Sequence, residues 1–355
     1  MEIRIGKHIL GPGHPIFIVA EMSGNHDGSL DRALEIVRSA KRAGADAIKI
    51  QTYTADTITL KCDREDFRIL SGTPWADYST LWDLYNKAHT PLEWHEAIFH
   101  EARGLDLEVF SSPFDESAVD LLERLEAPAY KIASPEITHI PLLEKVARTG
   151  KPVIISTGVA ELADIELAVS TLRNGGAHEI IVLKCTTAYP APPEESNLRT
   201  ISDMITRFGV LSGLSDHTMG TVTAVASVAL GASLIEKHFT LGDSNETVDS
   251  FFSSGVDEFT RMVHDIRLVE KAIGRVSYEI TPSALSSLRG RRSLYVSATI
   301  KADDTFTKSN IKSVRPSFGL HPKYYNEVIG RHAKFDLQAG DRLAWEVIKD
   351  VVDEK

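Results

Sequence analysis

Cysteine is scarce in this sequence of 355 residues, and long apolar runs are missing. Cys62 and Cys185 are too few for a disulfide framework, so we expect a reducing compartment. The first residues, Met-Glu-Ile-Arg-Ile-Gly-Lys, lack the basic-then-apolar order of a signal peptide. No apolar run is long enough to cross a bilayer. We therefore predict a cytoplasmic protein without a membrane partner.

The chain also lacks an excess of positive charge, because its net charge is −11. Residues 285–355 hold 13 Lys+Arg and 9 Asp+Glu, a net charge of +4, which leaves −15 on the preceding residues. This small basic excess has no aromatic stacking run beside it, so nucleic acid is not expected as a partner. Opposite charges on the two parts suggest docking between them, within one chain or between copies.

A glycine fingerprint for dinucleotide binding is absent, which weighs against a doubly wound open sheet, the main alternative fold. Eight short apolar runs are predicted as strands, with helical patterns between them. They lie at residues 16–23, 47–53, 107–114, 129–134, 152–158, 179–186, 210–217 and 233–240. Repeated β–α units with near-continuous apolar strands predict an α/β fold of the (β/α)₈ TIM-barrel type over residues 1–274.

Two segments interrupt this regular pattern. Residues 55–90 form a long connection after the second strand, and a connection of that length predicts a wall or lid over the barrel mouth. After the barrel, residues 275–287 contain a proline and several serines and are predicted as a linker. Residues 288–355 consist of short β-rich turns and are predicted as a separate small domain.

Two predicted strands end in histidine, at His217 and His238. A helical run separates these strands, and the connection in a βαβ unit is almost always right-handed, so the strands run parallel and end at one edge. Neighbouring strands lie roughly 4.8 Å apart, which lets both imidazoles reach one divalent metal ion. The structural alternative is one histidine that caps a helix and one that packs in the core.

Two lysines, Lys49 and Lys131, fall within apolar strands. A buried ammonium group is costly unless it meets an anion, and for each lysine the alternative is a structural ion pair. Ser112, Ser134 and Ser215 stand at neighbouring strand ends. Point charges with hydroxyl groups suit phosphate and carboxylate, so the pattern predicts a small polyanionic ligand.

Two carboxylates, Glu21 and Glu136, also follow strand ends and are available for proton transfer. The same lysines support a different hypothesis, a Schiff-base pyruvate aldolase that uses Lys49, Lys131 or Lys184 as nucleophile. A third hypothesis is a non-catalytic carbohydrate-binding protein built around the tail. It leaves the polar residues inside the barrel without a purpose.

Several motifs together resemble the sialic acid synthase family. They are Val-Ala-Glu-Met-Ser-Gly-Asn-His, Lys-Ile-Gln-Thr-Tyr-Thr, Ser-Ser-Pro-Phe-Asp, Tyr-Lys-Ile-Ala-Ser, Ile-Ser-Thr-Gly, Cys-Thr-Thr-Ala-Tyr-Pro, Gly-Leu-Ser-Asp-His-Thr and Glu-Lys-His-Phe-Thr. In the tail, Val-Arg-Pro and Gly-Leu-His-Pro-Lys resemble the family's C-terminal antifreeze-like (SAF) domain. The matches follow in order over nearly the whole chain.

The resemblance implies a (β/α)₈ enzyme that condenses phosphoenolpyruvate with an N-acylated amino sugar. It also implies a divalent metal, commonly Mn²⁺ with Mg²⁺ or Co²⁺ as alternatives. The homodimer expected from it is domain-swapped, with the antifreeze-like domain of one subunit over the barrel mouth of the other.

The resemblance also assigns roles to individual residues. The metal ligands and two of the catalytic groups are His217 and His238, and the other catalytic groups are Glu21 and Glu136. The phosphoenolpyruvate-binding residues are Lys49, Ser112, Lys131, Ser134, Thr187 and Ser215. The sugar-binding residues are Asn25, Gln51, Tyr189, Asp249 and Arg315.

Within the family, three segments are most similar to the pseudaminic acid synthase subgroup: Met-Ser-Gly-Asn-His, Leu-Trp-Asp-Leu-Tyr at residues 81–85 and Arg-Arg-Ser-Leu at residues 291–294. That subgroup implies a 2,4-diacetamido-2,4,6-trideoxy hexose as acceptor and a nine-carbon nonulosonic acid as product. N-acetylneuraminate and legionaminate synthases are the alternatives. Neuraminate synthases carry Asn where Thr187 stands, and this departure weighs against neuraminate.

Overall fold

The chain divides into two compact units, residues 1–274 and the residues from 275 onward, in a computed structural model. The structure describes residues 1–242 and 246–349. None of the helices within those ranges is long and apolar enough to cross a membrane.

A closed parallel barrel forms the first unit. A two-stranded antiparallel hairpin precedes it, with β1 at Ile3–Ile5 and β2 at His8–Leu10. In residues 1–242 and 246–349, eight parallel strands then close on themselves in chain order. They are β3 Phe17–Glu21, β4 Ala47–Thr52, β5 Glu108–Pro113, β6 Tyr130–Ile132, β7 Val153–Ser156, β8 Ile180–Cys185, β9 Leu211–Asp216 and β10 Leu234–His238. The prediction of a (β/α)₈ barrel is confirmed.

Helices connect successive strands of the barrel, and a last helix follows β10. They are α1 Leu30–Arg42, α2 Ala55–Ile58, α3 Leu81–Ala88, α4 His95–Gly104, α5 Glu116–Arg124, α6 Ile140–Ala147, α7 Leu162–Asn174, α8 Thr200–Phe208, α9 Val222–Val228 and α10 Val256–Ile273. Local sequence fixes several ends: the Asp115 side chain accepts hydrogen bonds from backbone amides at the start of α5. Gly209 ends α8 in the left-handed conformation that glycine adopts without strain.

Several predicted elements are longer than the observed ones. The predicted strand at residues 16–23 stops at Glu21, because Ser23 begins a short 3₁₀ turn, Ser23–His26. In the same way, the strand predicted to reach residue 134 stops at Ile132, and Ser134 begins another 3₁₀ turn. These turns matter for function, since they carry polar side chains away from the sheet and over the barrel mouth.

Alternation along each strand separates two apolar layers. On β4, Ile48 and Ile50 pack outward against the helices, while Ala47 belongs to the layer inside the barrel. The N-terminal hairpin adds Ile3 and Leu10 to that inner layer. The other members of this layer lie toward the N-terminal ends of the strands, so apolar side chains close that end of the barrel. Polar side chains are left for the opposite end.

The second unit is built around a small antiparallel pair. Its strands are β11 Ser293–Val296 and β12 Ile311–Val314, and a short helix α11 follows at Tyr325–Val328. Leu294, Phe306 and Ile311 are fully buried in its own core. A 3₁₀ helix, Pro282–Gly290, precedes β11; it begins in the stretch predicted as a linker and ends three residues beyond it.

Candidate active site

A cavity of about 920 Å³ opens at the C-terminal ends of the barrel strands. Most of the predicted site residues line it. They are Glu21, Lys49, Gln51, Lys131, Ser134, Glu136, Thr187, Tyr189, Ser215, His217, His238 and Asp249. Residues that are far apart in the sequence therefore meet here, because parallel strands in a barrel all end at one face.

Lys49 occupies the floor of the cavity and is buried. Its Nζ lies 2.8 Å from Glu21 Oε2 and 3.6 Å from Glu236 Oε2, and it donates a hydrogen bond of 3.2 Å to Ser112 Oγ. Burial acts to lower the pKa of Lys49, but the two carboxylates raise it overall. Lys49 is therefore charged.

Lys131 lies on the other side of Glu236. Its Nζ donates to Ser156 Oγ at 2.7 Å and lies 3.5 Å from Glu236 Oε1. Burial lowers the pKa of Lys131, and Glu236 opposes that effect. The floor thus holds two lysines in contact with two glutamates, Glu21 and Glu236, and a bound polyanion would change the balance between their charges.

Hydroxyl groups surround these lysines. Ser215 Oγ donates to Glu236 Oε1 at 2.9 Å, and Ser134 Oγ accepts from the Gly158 amide at 2.9 Å. Thr187 stands directly over Gly158: a Cβ added at Gly158 would lie 2.0 Å from Thr187 Oγ1. Glycine is required at this position because the Thr187 side chain occupies the space.

The two strand-end histidines face each other, with ring centroids 5.3 Å apart. His217 Nδ1 donates to the Thr186 carbonyl at 2.9 Å, which leaves Nε2 for another ligand. His238 Nδ1 is buried and has no hydrogen-bond partner among the described residues. Burial and the nearby positive groups lower the pKa of His238, so its imidazole is neutral.

Cys185 lies next to this pair. Its Sγ is 3.8 Å from His217 Nδ1. Burial acts to raise the pKa of the thiol, but the charge of His217 lowers it to about 7. In turn, Cys185 raises the pKa of His217 against the effect of burial.

A second group of polar side chains lines the cavity and is joined to the floor through Glu21. Gln51 Nε2 donates to Glu21 Oε1 at 3.0 Å and to Ser23 Oγ at 3.1 Å. Ser23 Oγ in turn donates to Asp249 Oδ2. Burial raises the pKa of Asp249. The linked acceptors and donors suit the hydroxyl groups of a sugar.

Glu136 follows β6 on the 3₁₀ turn Ser134–Thr138 and lines the cavity. Its Oε2 is buried without a hydrogen-bond partner in residues 1–242 and 246–349. Burial raises its pKa to about 7. A carboxyl group with that pKa can both accept and release a proton near neutral pH.

The predicted lid is an ordered wall of the cavity. Residues 55–90 include α2 and α3, and Trp75 fixes the segment to the loop after β10. The Trp75 indole N–H donates to the Val248 carbonyl at 3.0 Å. The Trp75 ring also contacts Tyr189 and Phe251, at centroid distances of 5.6 and 6.1 Å.

Three predicted site residues do not line the cavity. Asn25, predicted to bind sugar, uses its side chain elsewhere: the amide donates to Phe239 O and Ser253 Oγ, and Oδ1 accepts from Thr247. Asn25 is fully buried and joins the first turn to the loop after β10. Ser112 accepts a hydrogen bond from Lys49 but does not itself line the cavity. Arg315 is exposed and belongs to the second unit, directly after β12.

The predictions omitted Glu236, Ser156 and Ser23, all of which line the cavity. Strand periodicity places Glu236 on the same face of β10 as His238, so the sequence does indicate that Glu236 points into the barrel. Ser156 stands at a strand end. Nothing in the sequence pattern indicates Ser23, because its position depends on the turn after β3, where it adopts a φ of 47°.

Comparison with known proteins gives the family. The NeuB family pattern matches residues 36–278, and the SAF domain pattern matches residues 291–349. The chain belongs to the NeuB family. It is 45% identical over 328 residues to a pseudaminic acid synthase of Campylobacter jejuni, covering 92% of this chain and 95% of that protein.

More distant relatives and a solved structure extend the comparison. An N,N'-diacetyllegionaminic acid synthase of Legionella pneumophila is 32% identical over 345 residues, which cover 96% of each chain. The crystal structure of N-acetylneuraminic acid synthetase from Leptospira borgpetersenii, in complex with citrate, superposes with a TM-score of 0.71 at 29% identity. That match covers 81% of this chain and 95% of the other.

Proposed function

We propose that this protein is a pseudaminic acid synthase. It joins phosphoenolpyruvate to a 2,4-diacetamido-2,4,6-trideoxy hexose of the altrose type, with water, to give a nine-carbon nonulosonic acid and phosphate. The observation that carries the proposal is the cavity floor, where Lys49 and Lys131 flank Glu236 beside two facing histidines. The 45% identity to the Campylobacter jejuni enzyme supports this acceptor over that of the legionaminic acid synthase, at 32%.

The floor suits phosphoenolpyruvate because the ligand carries both a phosphate and a carboxylate. Lys49 and Lys131 would hold these anions, with Ser134, Ser215 and Thr187 as hydroxyl donors. The buried site is low in dielectric, so fixed ammonium groups act strongly on a polyanion. Positioning the anion against the acceptor is the main contribution these residues make to the rate.

The paired histidines fit a divalent metal ion. His217 uses Nδ1 for its hydrogen bond to the Thr186 carbonyl, so Nε2 is not engaged in that bond. The buried Nδ1 of His238 has no hydrogen-bond partner among the described residues. The described residues contain no group of three or more His, Cys, Asp and Glu arranged for a metal, so substrate and water would complete the coordination. We propose Mn²⁺, with Mg²⁺ or Co²⁺ as alternatives. Such an ion would supply Lewis-acid activation of the sugar aldehyde.

The reaction forms one carbon–carbon bond and breaks one carbon–oxygen bond. C3 of phosphoenolpyruvate attacks C1 of the open-chain sugar, water adds at C2, and phosphate leaves. Water forms a new carbon–oxygen bond at C2 and becomes the 2-keto oxygen as phosphate departs. One of its two protons ends on the former aldehyde oxygen and the other on the released phosphate. Glu136 is suited to this transfer, because its pKa of about 7 lets it exchange a proton at neutral pH. Glu21, Gln51 and Asp249 would orient the acceptor.

A Schiff-base aldolase makes a different prediction for the lysines. Lys184 is poorly placed for it, since its Nζ donates to the Cys185 carbonyl at 2.6 Å and the residue does not line the cavity. An imine on Lys49 or Lys131 would be trapped by borohydride and would survive chelation.

A panel of acceptors tests the proposal. Phosphate release from phosphoenolpyruvate is measured with the altrose-type 2,4-diacetamido hexose, its legionaminate-type stereoisomer and N-acetylmannosamine. We expect the altrose-type sugar to give the highest kcat/KM, a chelator to abolish release, and borohydride to have no effect. Highest activity with another sugar would reassign the acceptor, and a borohydride-trapped adduct with chelator-resistant turnover would replace the synthase with an aldolase.

A further inference from the structure

The part of the cavity wall that α2 and α3 form is apolar, whereas the lid residues Glu65, Asp66 and Arg68 line the cavity with exposed, charged side chains. Residues 55–90 supply five leucine and isoleucine side chains to the cavity wall: Ile58, Ile69, Leu70, Leu81 and Leu84. Of these, Ile58 lies on α2, and Leu81 and Leu84 lie on α3. Ile58, Ile69 and Leu81 are only partly buried. Apolar side chains that face a cavity are stabilised when another apolar group covers them.

Three aromatic rings, those of Tyr53, Tyr85 and Phe114, also line the cavity. Tyr53 follows β4 and is 4% exposed. Its ring lies 4.9 Å from that of Phe114 and 6.0 Å from that of Tyr85, both in edge contact. Three packed rings form a rigid surface, which can select a ligand by shape.

The apolar wall adjoins the sugar side of the cavity. Tyr53 and Asp249 both line this cavity. The Asp249 carboxylate accepts a hydrogen bond from Ser23 Oγ, and Ser23 Oγ accepts a hydrogen bond from Gln51 Nε2. An acceptor held by these polar groups would therefore place its other end against the lid.

We propose that the lid wall selects the acceptor by its apolar ends, the deoxygenated C6 and the methyl of the 4-acetamido group. This inference rests on the proposed function. A hydroxyl in place of either apolar end would lose its water without gaining a hydrogen bond from leucine or isoleucine. Each well-packed methyl group in such a pocket is worth about ten-fold or more in kcat/KM. Phosphoenolpyruvate lacks a methyl group and gains nothing from this wall.

Two lid variants test the assignment. In Leu81→Asn and Ile58→Asn, a polar amide replaces an aliphatic side chain of the wall. The ratio of kcat/KM is measured for the diacetamido trideoxy hexose over the analogue with hydroxyl groups at C4 and C6. We expect this ratio to fall about ten-fold in each variant, while the KM for phosphoenolpyruvate stays unchanged.

Leu60→Asn is the matched control, because Leu60 lies in the same segment, is 64% exposed and does not line the cavity. It should keep the wild-type ratio. A wild-type ratio in both wall variants, with active enzyme and unchanged Tm, would overturn the lid assignment and leave the proposed function standing. Absence of phosphate release from the wild type with every acceptor would instead overturn the proposed function.

Discussion

Glu236 is the residue that ties the cavity floor together. It lies between Lys49 and Lys131 and accepts a hydrogen bond from Ser215. Burial acts to raise its pKa, but Lys131 and Lys49 lower it overall, so Glu236 is ionised. In the absence of substrate Glu236 pairs with both lysines, and Lys49 also pairs with Glu21. The same lysines can therefore form structural ion pairs without substrate and bind the anion when substrate is present.

The first prediction separates these two roles at Lys131. Lys131→Met should weaken phosphoenolpyruvate binding by about 2 kcal/mol or more, because a desolvated charge contact to the anion is lost. Glu236 keeps Lys49 as its counter-ion in this variant. Isothermal titration calorimetry without acceptor measures the affinity.

Lys184→Met serves as the control, since Lys184 is also a strand lysine but lies outside the cavity. It should bind phosphoenolpyruvate like the wild type. Equal affinity in both variants would mean that Lys131 has a structural role.

The second prediction concerns the pH dependence of Glu136. Its pKa is raised to about 7, so the carboxyl is mostly protonated below that pH and becomes a base above it. We expect kcat to rise as pH increases through about 7. Glu136→Gln should remove this limb and lower kcat by roughly 10²–10⁴-fold. Glu65→Gln, at the exposed rim of the same cavity, should keep the limb. An unaltered pH profile in Glu136→Gln would exclude proton transfer by this residue.

At the scale of single residues, strand periodicity predicts which side chains point inward but not what they contact. The period of two puts Lys49 and Gln51 on one face of β4, and both line the cavity. The role of Asn25 was not predictable, because the turn after β3 directs its amide to the Phe239 carbonyl, 214 residues away in the chain. Only the folded loops bring those groups together.

Among the elements, strands and lid differ in how well the sequence predicts them. The strands are predictable because a strand of a parallel sheet is buried on both faces, and its sequence is therefore apolar along nearly its whole length. Residues 55–90 have no such periodicity. Their length indicated a lid, but the position of Trp75 depends on the Val248 carbonyl, in a loop 173 residues away in the chain.

The third prediction tests how Trp75 fixes the lid. Trp75→Phe keeps an aromatic ring but loses the N–H that donates to Val248, the residue before Asp249. The loss of one hydrogen bond costs roughly 1 kcal/mol, so the KM for the acceptor should rise about five-fold. The KM for phosphoenolpyruvate should not change, because the floor residues are unaffected.

Trp82→Phe is the control within the same segment. The Trp82 indole donates to Asp56 Oδ1 at 2.8 Å, and Trp82 does not line the cavity. An equal change in KM for the acceptor in both variants would show that the Trp75 bond does not position the sugar side.

The whole molecule has an acidic barrel chain and a basic tail. Residues 285–355 carry a net charge of +4, against −15 on the rest. Each unit has its own apolar core, and Arg315 is exposed in the second unit. We propose that two copies form a domain-swapped dimer, in which Arg315 of one chain completes the sugar site of the other. The charge imbalance and the family resemblance both favour this arrangement from the sequence.

The fourth prediction tests the swapped dimer by subunit mixing. Arg315→Ala and His217→Ala chains, each inactive alone, are mixed and allowed to exchange. In a swapped heterodimer one site receives both changes and the other receives neither. Activity should recover to about a quarter of wild type if exchange is random and the sites are independent. No recovery in verified heterodimers would assign Arg315 to its own barrel.

The central claim, condensation of phosphoenolpyruvate with a diacetamido hexose, is tested most directly by the fate of C3. The full chain, supplied with Mn²⁺, is incubated with phosphoenolpyruvate labelled with ¹³C at C3 and with the altrose-type 2,4-diacetamido hexose, and the products are followed by ¹³C NMR. We expect the label in a new methylene group of a nine-carbon 2-keto acid, bonded to the former C1 of the sugar, with one phosphate released for each product formed. Label found only in the methyl group of pyruvate, or only in unreacted phosphoenolpyruvate, would contradict the account.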